Sequence, residues 1–306
     1  MSAAAGRAVI TVGTFDGVHR GHRLVLERLA ARGRERGWQS VLVTFTPHPL
    51  DVVRPESAPP HLTTAYEKEQ ALRRCGIDRV EVVPFTPDLA RFDATQFVDE
   101  ILRDRFGMGE LLVGYDHGFG RDRSGRADVL RELGVARGFE VTVVPPVQGR
   151  DGAPLSSTRI RHAVAAGDLA GAADGLGRPY TVTSRVVHGD GRGRTLGFRT
   201  LNLAPLDSRK LLPPEGVYAV TATVDGHRFD AMMNLGPRPT FGDPSIQLEV
   251  HLFDAEGDWY GREVELGFIR RLRDTKRFNG AEALVAQLRQ DAEMARVAVA
   301  RGIGLY

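Results

Sequence analysis

The sequence predicts an α/β chain: an N-terminal doubly wound parallel sheet, then a small antiparallel β-barrel with a terminal helix. Two observations carry this. Residues 8 to about 168 alternate near-continuous apolar runs with helix-like segments, the pattern of a parallel sheet covered on both faces. From Tyr180 onward, short β segments separated by turn signals take over, as in a small barrel. Between them the small, glycine-rich stretch 167–178 reads as a linker or short helix. The expected division is 1–168, a linker over 169–179, and 180–306. A length of 306 residues accommodates two domains.

The elements follow in order. Strands are expected at 8–12, 40–45, 80–83, 110–113 and 140–144, with helices near 20–36, 65–75, 94–105 and 126–138. In parallel sheets ligands bind beyond the carboxyl ends of the strands. The loops Gly13–His22, Thr44–Pro49 and Gly114–Gly125 leave such ends and should converge on one edge. In the second half, a strand at 216–224 meets the hairpin signal Asp225-Gly226. Further strands are expected at 230–234, 247–253 and 263–268, with turns at Glu256-Gly257 and Tyr260-Gly261. A helix over about 280–300 closes the chain, with Asn279 and Glu282 at capping-box spacing. Its apolar stripe is Leu284, Leu288, Ala292, Ala295 and Val299.

Composition narrows the function. A hydrophobic fraction of 42% supports ordinary cores, and a net charge of +2 makes no case for nucleic-acid binding. The only lysines are Lys68, Lys210 and Lys276. None follows a glycine, which excludes a lysine-bearing P-loop. The lone Cys75 rules out an internal disulfide and fits a reducing compartment. The N-terminus lacks the charged start and apolar core of a signal peptide, and no apolar run approaches membrane-spanning length. A cytoplasmic protein with no membrane partner is expected. Homo-oligomerisation is left open.

The most informative segment is Gly13-Thr14-Phe15-Asp16-Gly17-Val18-His19-Arg20-Gly21-His22, between a strand and a helix. A helix N-terminus offers unpaired N–H groups and partial positive charge, which suits an anion. Gly13, Gly17 and Gly21 permit sharp turning and close approach. His19 and His22 add imidazole donors for phosphate oxygens as charge develops. A histidine pair at a helix start, taken alone, is more often structural. In Ser156-Ser157-Thr158-Arg159-Ile160-Arg161, one hydroxyl suffices as an N-cap. The remaining hydroxyls and the arginines suit a polyphosphate. In Thr44-Phe45-Thr46-Pro47-His48-Pro49, two prolines hold an extended loop that presents His48, or simply form a rigid turn. The loop from Gly114 carries Tyr115 and Asp116, an aromatic and a carboxylate able to grip a planar ligand.

These segments, in this order and spacing, resemble the bacterial bifunctional riboflavin kinase/FAD synthetase family, whose first half is a Rossmann-like nucleotidylyltransferase marked by His-x-Gly-His. The resemblance implies that residues 1 to about 168 transfer AMP from ATP to FMN, giving FAD and pyrophosphate. It implies that His19 and His22 stabilise the α-phosphate, and that Gly13, Phe15, Asp16, Gly17 and Gly21 bind ATP. Ser157, Thr158 and Arg161 would hold the outgoing phosphates, and His48 and Asp116 would lie on the flavin side.

The second half resembles the same family's riboflavin kinase module through Val187–Asn202. Gly191, Gly193 and Gly197 suit a flap over ATP phosphates. Thr200 and Asn202 match the positions that hold magnesium and nucleotide phosphates, and their oxygens are suitable hard ligands. Arg199 departs from the family, which usually has proline there, and Ser184 stands where glycine is usual. In Leu248-Glu249-Val250-His251-Leu252, alternation puts Glu249 and His251 on one face. By pattern alone Glu249 is a solvated strand carboxylate. The resemblance makes it the general base for the riboflavin 5′-hydroxyl. Arg273, Lys276 and Phe278 match a flavin-side loop, or form a basic loop capping a helix.

The expectation is a transferase that takes riboflavin to FMN and FMN to FAD, using ATP and Mg2+. Three rivals stand beside it. One is a His-x-Gly-His enzyme acting on pantetheine phosphate or glycerol phosphate. The second is an FAD synthetase whose kinase has weakened. The third is a flavin-binding regulatory barrel fused to a nucleotidyltransferase.

Overall fold

The computed structural model describes residues 7–116, 118–121, 124–189, 197–205, 207–237 and 246–302. The chain divides into two compact units, residues 1–60 with 65–156, and residues 61–64 with 157–306.

The first unit is built on strands β1 (Ala8–Val12), β2 (Gln39–Thr46), β3 (Arg79–Pro84), β4 (Met108–Gly114) and β5 (Glu140–Val144). They form one sheet in the order β3-β2-β1-β4-β5 with every neighbouring pair parallel. Every residue of β1 is buried, so the strand must be apolar on both faces. Alternation divides it. Ala8, Ile10 and Val12 pack with Phe97, Val98, Leu102 and Leu130. Val9 joins Leu42 and Leu112 under helices α1 (Arg20–Arg36) and α3 (Ala65–Arg73), through Val25, Leu26, Leu29 and Leu72. Each such side chain removed from water contributes about 1.5–3 kcal/mol. The five-residue helix α2 (Pro49–Val53) lies between β2 and α3.

The helix expected over 94–105 starts as α4 (Ala94–Gln96) and continues as a π-helix, Phe97–Arg105. Asp93 and Gln96 form a reciprocal capping box there. Helix α5 (Ala127–Arg137) then leads to β5. Away from the loops, Glu110 is fully buried on β4. Arg32 Nε lies 2.9 Å from both its carboxylate oxygens, and Thr142 Oγ1 donates to it at 3.0 Å.

The second unit is a closed barrel of β6 (Tyr180–Val187), β7 (Leu201–Pro205), β8 (Gly216–Val224), β9 (His227–Pro237), β10 (Ile246–Leu252) and β11 (Glu263–Arg273). The strand order is β10-β7-β6-β11-β8-β9, with all pairs antiparallel. The hairpin turn is at Asp225-Gly226, both with positive φ (48° and 81°), as a two-residue turn of this type requires. Tyr180, Tyr218 and Phe268 fill the interior. The terminal helix, Ala281–Arg301, packs Ala295, Ala298 and Val299 on the outer face against Ala219, Met232 and Ile269.

Residues 169–176 are helical, the second of the two readings of that stretch. Helices α6 (Ser157–Ala165) and α7 (Leu169–Leu176) contribute Ile160, Val164, Leu169 and Ala172 to the barrel's own core. By contacts, the compact division falls at Ser156/Ser157. Residues 61–64 also belong to this unit, where Lys210 Nζ donates to the Leu62 carbonyl at 2.6 Å. Finally, the terminal helix, α8, is capped by Gly280 with no side-chain bond, so the Asn279/Glu282 box does not form.

The Glu110 cluster makes a stability prediction. Arg32→Met leaves the buried Glu110 carboxylate to Thr142 and Arg36, so urea unfolding should show a loss of stability larger than that of an exposed pair. A loss below about 1 kcal/mol, the worth of an exposed pair, would contradict the buried-pair account.

Candidate active sites

The strand β1 lies where the strand order reverses, between β2 and β4, the position at which open sheets bind ligands. The loop after it is tightly wound. Gly13 N donates to the Val43 carbonyl at 3.1 Å, and Val18 N to the Phe15 carbonyl at 3.1 Å. Gly17 has φ 83°, and Phe15 and Val18 also have positive φ, 49° and 41°. Both are buried in the α1 core, which holds the left-handed backbone in place. Asp16 is buried between them.

His19 is the N-cap of α1. Its Nδ1 accepts from the His22 amide at 3.2 Å, and its carbonyl accepts from Arg23 N at 2.9 Å. A ring nitrogen that accepts from an amide carries no proton. The neutral His19 ring is therefore protonated on Nε2, the nitrogen able to donate to a phosphate oxygen. The His19 and His22 rings stack with centroids 3.6 Å apart, and Phe15 flanks His22 at 4.9 Å. Gly21 permits this. A Cβ there would lie 3.1 Å from His19 Cε1, and one on Gly13 would lie 2.9 Å from the Phe15 ring.

At the neighbouring strand end, Lys68 Nζ on α3 donates to the Phe45 carbonyl at 3.0 Å and lies 3.4 Å from Thr44 Oγ1. Thr44 in turn donates to the Thr14 carbonyl at 3.3 Å. Burial holds the Lys68 pKa below its usual value, and the charge of Asp16 partly offsets that. The sequence signal for Lys68 was faint: it is one of three lysines in an arginine-rich chain.

The other predicted residues are placed as follows. His48 caps α2, with Nδ1 accepting from Leu50 N at 3.2 Å, so the expected extended loop turns into helix at Pro49. Asp116 is exposed beside Tyr115, whose phenol is pushed up by burial and then by Asp116. Ser157, Thr158 and Arg161 lie on α6, in the second unit.

In the barrel, Glu249 lies opposite Asn202 on one neighbour and Asn234 on the other. Cross-strand partners share a face. The inward positions are Leu201, Leu203, Leu248 and Val250, so this polar row is on the outside. Asn202 Oδ1 accepts from Gln247 Nε2. The backbone of Gly189 covers the Asn202 amide: a Cβ there would lie 1.9 Å from Nδ2. Gly189 was missed as a site residue because its role depends on that register. Thr200 is half-buried and Arg199 points its side chain to solvent. Gly197 has φ 78°; Gly191 and Gly193 lie outside the described residues. Ser184 is fully buried at a barrel position, and nothing in the structure explains the hydroxyl there. Arg273 binds Asp291 of α8 through Nε and a second nitrogen, at 2.9 and 2.6 Å, and Lys276 pairs with Gln287. Both cations lie over the Phe278 ring, at 5.9 and 5.2 Å. The basic loop therefore anchors the terminal helix.

Comparison with known proteins matches this two-part arrangement. Residues 1–159 match the family model for FAD synthetase, and residues 176–299 that for riboflavin kinase. The bifunctional riboflavin kinase/FMN adenylyltransferase of Pseudomonas fluorescens is 41% identical over 293 residues, 95% of this chain and 93% of its own length. This chain belongs to that family. The protein of the same name from Escherichia coli K12 is 39% identical, over 94% of this chain and 91% of its own. A solved structure described as a macrolide-efflux protein from Streptococcus pneumoniae superposes with TM-score 0.86 at 32% identity, covering 96% of this chain and 95% of its own. Among the described residues, no helix is long and apolar enough to cross a membrane.

Two substitutions probe the sites separately. Gly21→Ala should push the His19 ring and lower FAD formation from FMN roughly 10-fold or more, as for a displaced donor, with riboflavin phosphorylation unchanged. Gly189→Ala should displace Asn202 and do the reverse. Steady-state assays of each half-reaction check both.

Proposed function

We infer that the chain makes FAD in two ATP-dependent steps: the barrel phosphorylates riboflavin to FMN, and the parallel-sheet domain adenylylates FMN. The observation that carries this is the pairing of a histidine-capped helix start at the switch point of one sheet with a Glu249/Asn202 row on a separate barrel. The family's two domain models on one chain support it. A regulatory barrel without turnover has no observation in its favour.

In the adenylyl transfer, an FMN phosphate oxygen attacks the α-phosphorus of ATP, forming the phosphoanhydride while pyrophosphate leaves. No proton needs to move at the attacking oxygen, so catalysis is positioning and charge stabilisation. His19 and His22 donate to the α-phosphate oxygens as their charge grows. The loop Gly13–Gly21, with Phe15, Asp16 and Gly17, receives ATP at the α1 N-terminus. Ser157, Thr158 and Arg161 take the departing phosphates. His48 and Asp116 serve the flavin side, and Lys68 adds positive charge at the β2 end.

In the kinase step, the riboflavin 5′-oxygen attacks the γ-phosphorus, its proton passes to Glu249, and ADP leaves. Thr200, Asn202 and the neighbouring Glu249 form an oxygen-only donor set, which fits a hard cation. Thr200 and Asn202 would hold Mg2+, which neutralises phosphate charge when bound. Gly191, Gly193 and Gly197 belong to the phosphate flap, and Arg273, Lys276 and Phe278 to the flavin side. The single half-buried Cys75 suits a reducing cytoplasm. The partners are small molecules, with no nucleic acid or membrane.

The test is to supply riboflavin, ATP and magnesium and resolve products by chromatography; FMN and then FAD are expected. His22→Ala should cut FAD formation about 10²–10³-fold and spare FMN formation. Glu249→Ala should cut riboflavin phosphorylation about 10²–10⁴-fold and spare adenylylation of supplied FMN. Loss of both activities in either variant would count against separate sites.

A further inference from the structure

The ladder between β7 and β10 pairs Leu203 with Leu248, Asn202 with Glu249, and Leu201 with Val250. Thr200 and Arg199 lie beyond the last of these pairs, so the ladder does not fix the residue that precedes the polar row. One side chain does. His251, two residues past Glu249 and on its face of β10, has Nδ1 2.8 Å from the Arg199 carbonyl oxygen. A carbonyl only accepts, so Nδ1 bears the proton in that bond. The ring cannot swing away easily. The Phe198 and Phe253 rings meet it edge-on, at 5.2 and 5.7 Å. Phe198 and Phe253 themselves pack into the outer cluster with Ala219 and Met232. Arg199 contributes only backbone, because its side chain is exposed. Thr200 is thus held from both sides, by the Leu201–Val250 ladder pair and by the His251 bond. The position next to it lacks the proline that would otherwise restrict its φ.

We propose that His251 is a positioning residue for riboflavin phosphorylation, holding the Arg199–Asn202 segment so that Thr200 and Asn202 face the magnesium–nucleotide together. This rests on the reading that Thr200 and Asn202 serve that ligand. It joins the strand of the general base to the Arg199 end of that segment, as Gln247 Nε2 joins it at Asn202. A purely structural histidine would affect stability and both substrates alike. A positioning histidine acts on magnesium–ATP.

The experiment compares His251→Ala, His251→Asn and His251→Gln in the full chain. It measures riboflavin phosphorylation and follows FAD formation from supplied FMN as the control for folding. The Asn amide nitrogen reaches the place of Nδ1, whereas that of Gln reaches the place of Nε2. Ala and Gln should raise KM for magnesium–ATP about 5- to 10-fold, the equivalent of one net hydrogen bond. KM for riboflavin and FAD formation should stay near wild type, and Asn should restore most of the loss. An unchanged KM for magnesium–ATP in Ala, or equal behaviour of Asn and Gln, would overturn the proposal. If Ala fails to fold, the Asn/Gln comparison decides alone. Wild-type protein that forms FAD from FMN but no FMN from riboflavin would remove the kinase reading itself, and this proposal with it.

Discussion

The helix start proposed for adenylyl transfer depends on one hydrogen bond, from the His22 amide to His19 Nδ1. It satisfies an orphan donor at the start of α1, as an N-cap must. It also settles the His19 tautomer and turns both imidazoles into a stack. The cap residue and the proposed phosphate donor are therefore the same group. The loop that delivers His19 to that position is strained. Positive φ at Phe15 and Val18 costs about 1–3 kcal/mol each for side chains of this kind. Burying those two side chains beneath α1 opposes the cost.

The barrel solves a related problem with different means. Its polar row is on the outer face of β7, β10 and β9, so the interior remains apolar. Register places Asn202 and Asn234 on either side of Glu249. Close backbone approach at Gly189 and the His251 bond then set the segments around that row. Elsewhere on the barrel, Arg273 ties the end of β11 to the fully buried Asp291 of α8.

Much of this was legible in the chain. The parallel strands announce themselves because both faces are buried, which forces continuous runs such as Val9-Ile10-Thr11-Val12. The Asp225-Gly226 hairpin follows from local φ requirements. His19, His22 and Glu249 are singled out by the family resemblance, since by pattern alone the histidine pair is more often structural and Glu249 is a solvated strand carboxylate. What was hidden depends on tertiary register. The composition of residues 169–176 leaves spacer and short helix both open, and their small side chains let α7 pack into the barrel core. Residues 61–64 join the second unit through main-chain bonds that leave no trace in side-chain pattern, such as Leu211 N to the His61 carbonyl at 2.8 Å. Lys68, Gly189 and His251 each act through a carbonyl or an amide brought close by folding. Asn279 and Glu282 had the spacing of a cap, but α8 starts at Gly280 and uses neither as one.

The most direct test of the His19 account is nitrogen-15 NMR of the imidazoles at neutral pH. It should find His19 neutral, with Nδ1 unprotonated and the proton on Nε2. A proton on Nδ1, or loss of the signature of an Nδ1 hydrogen-bond acceptor, would contradict it.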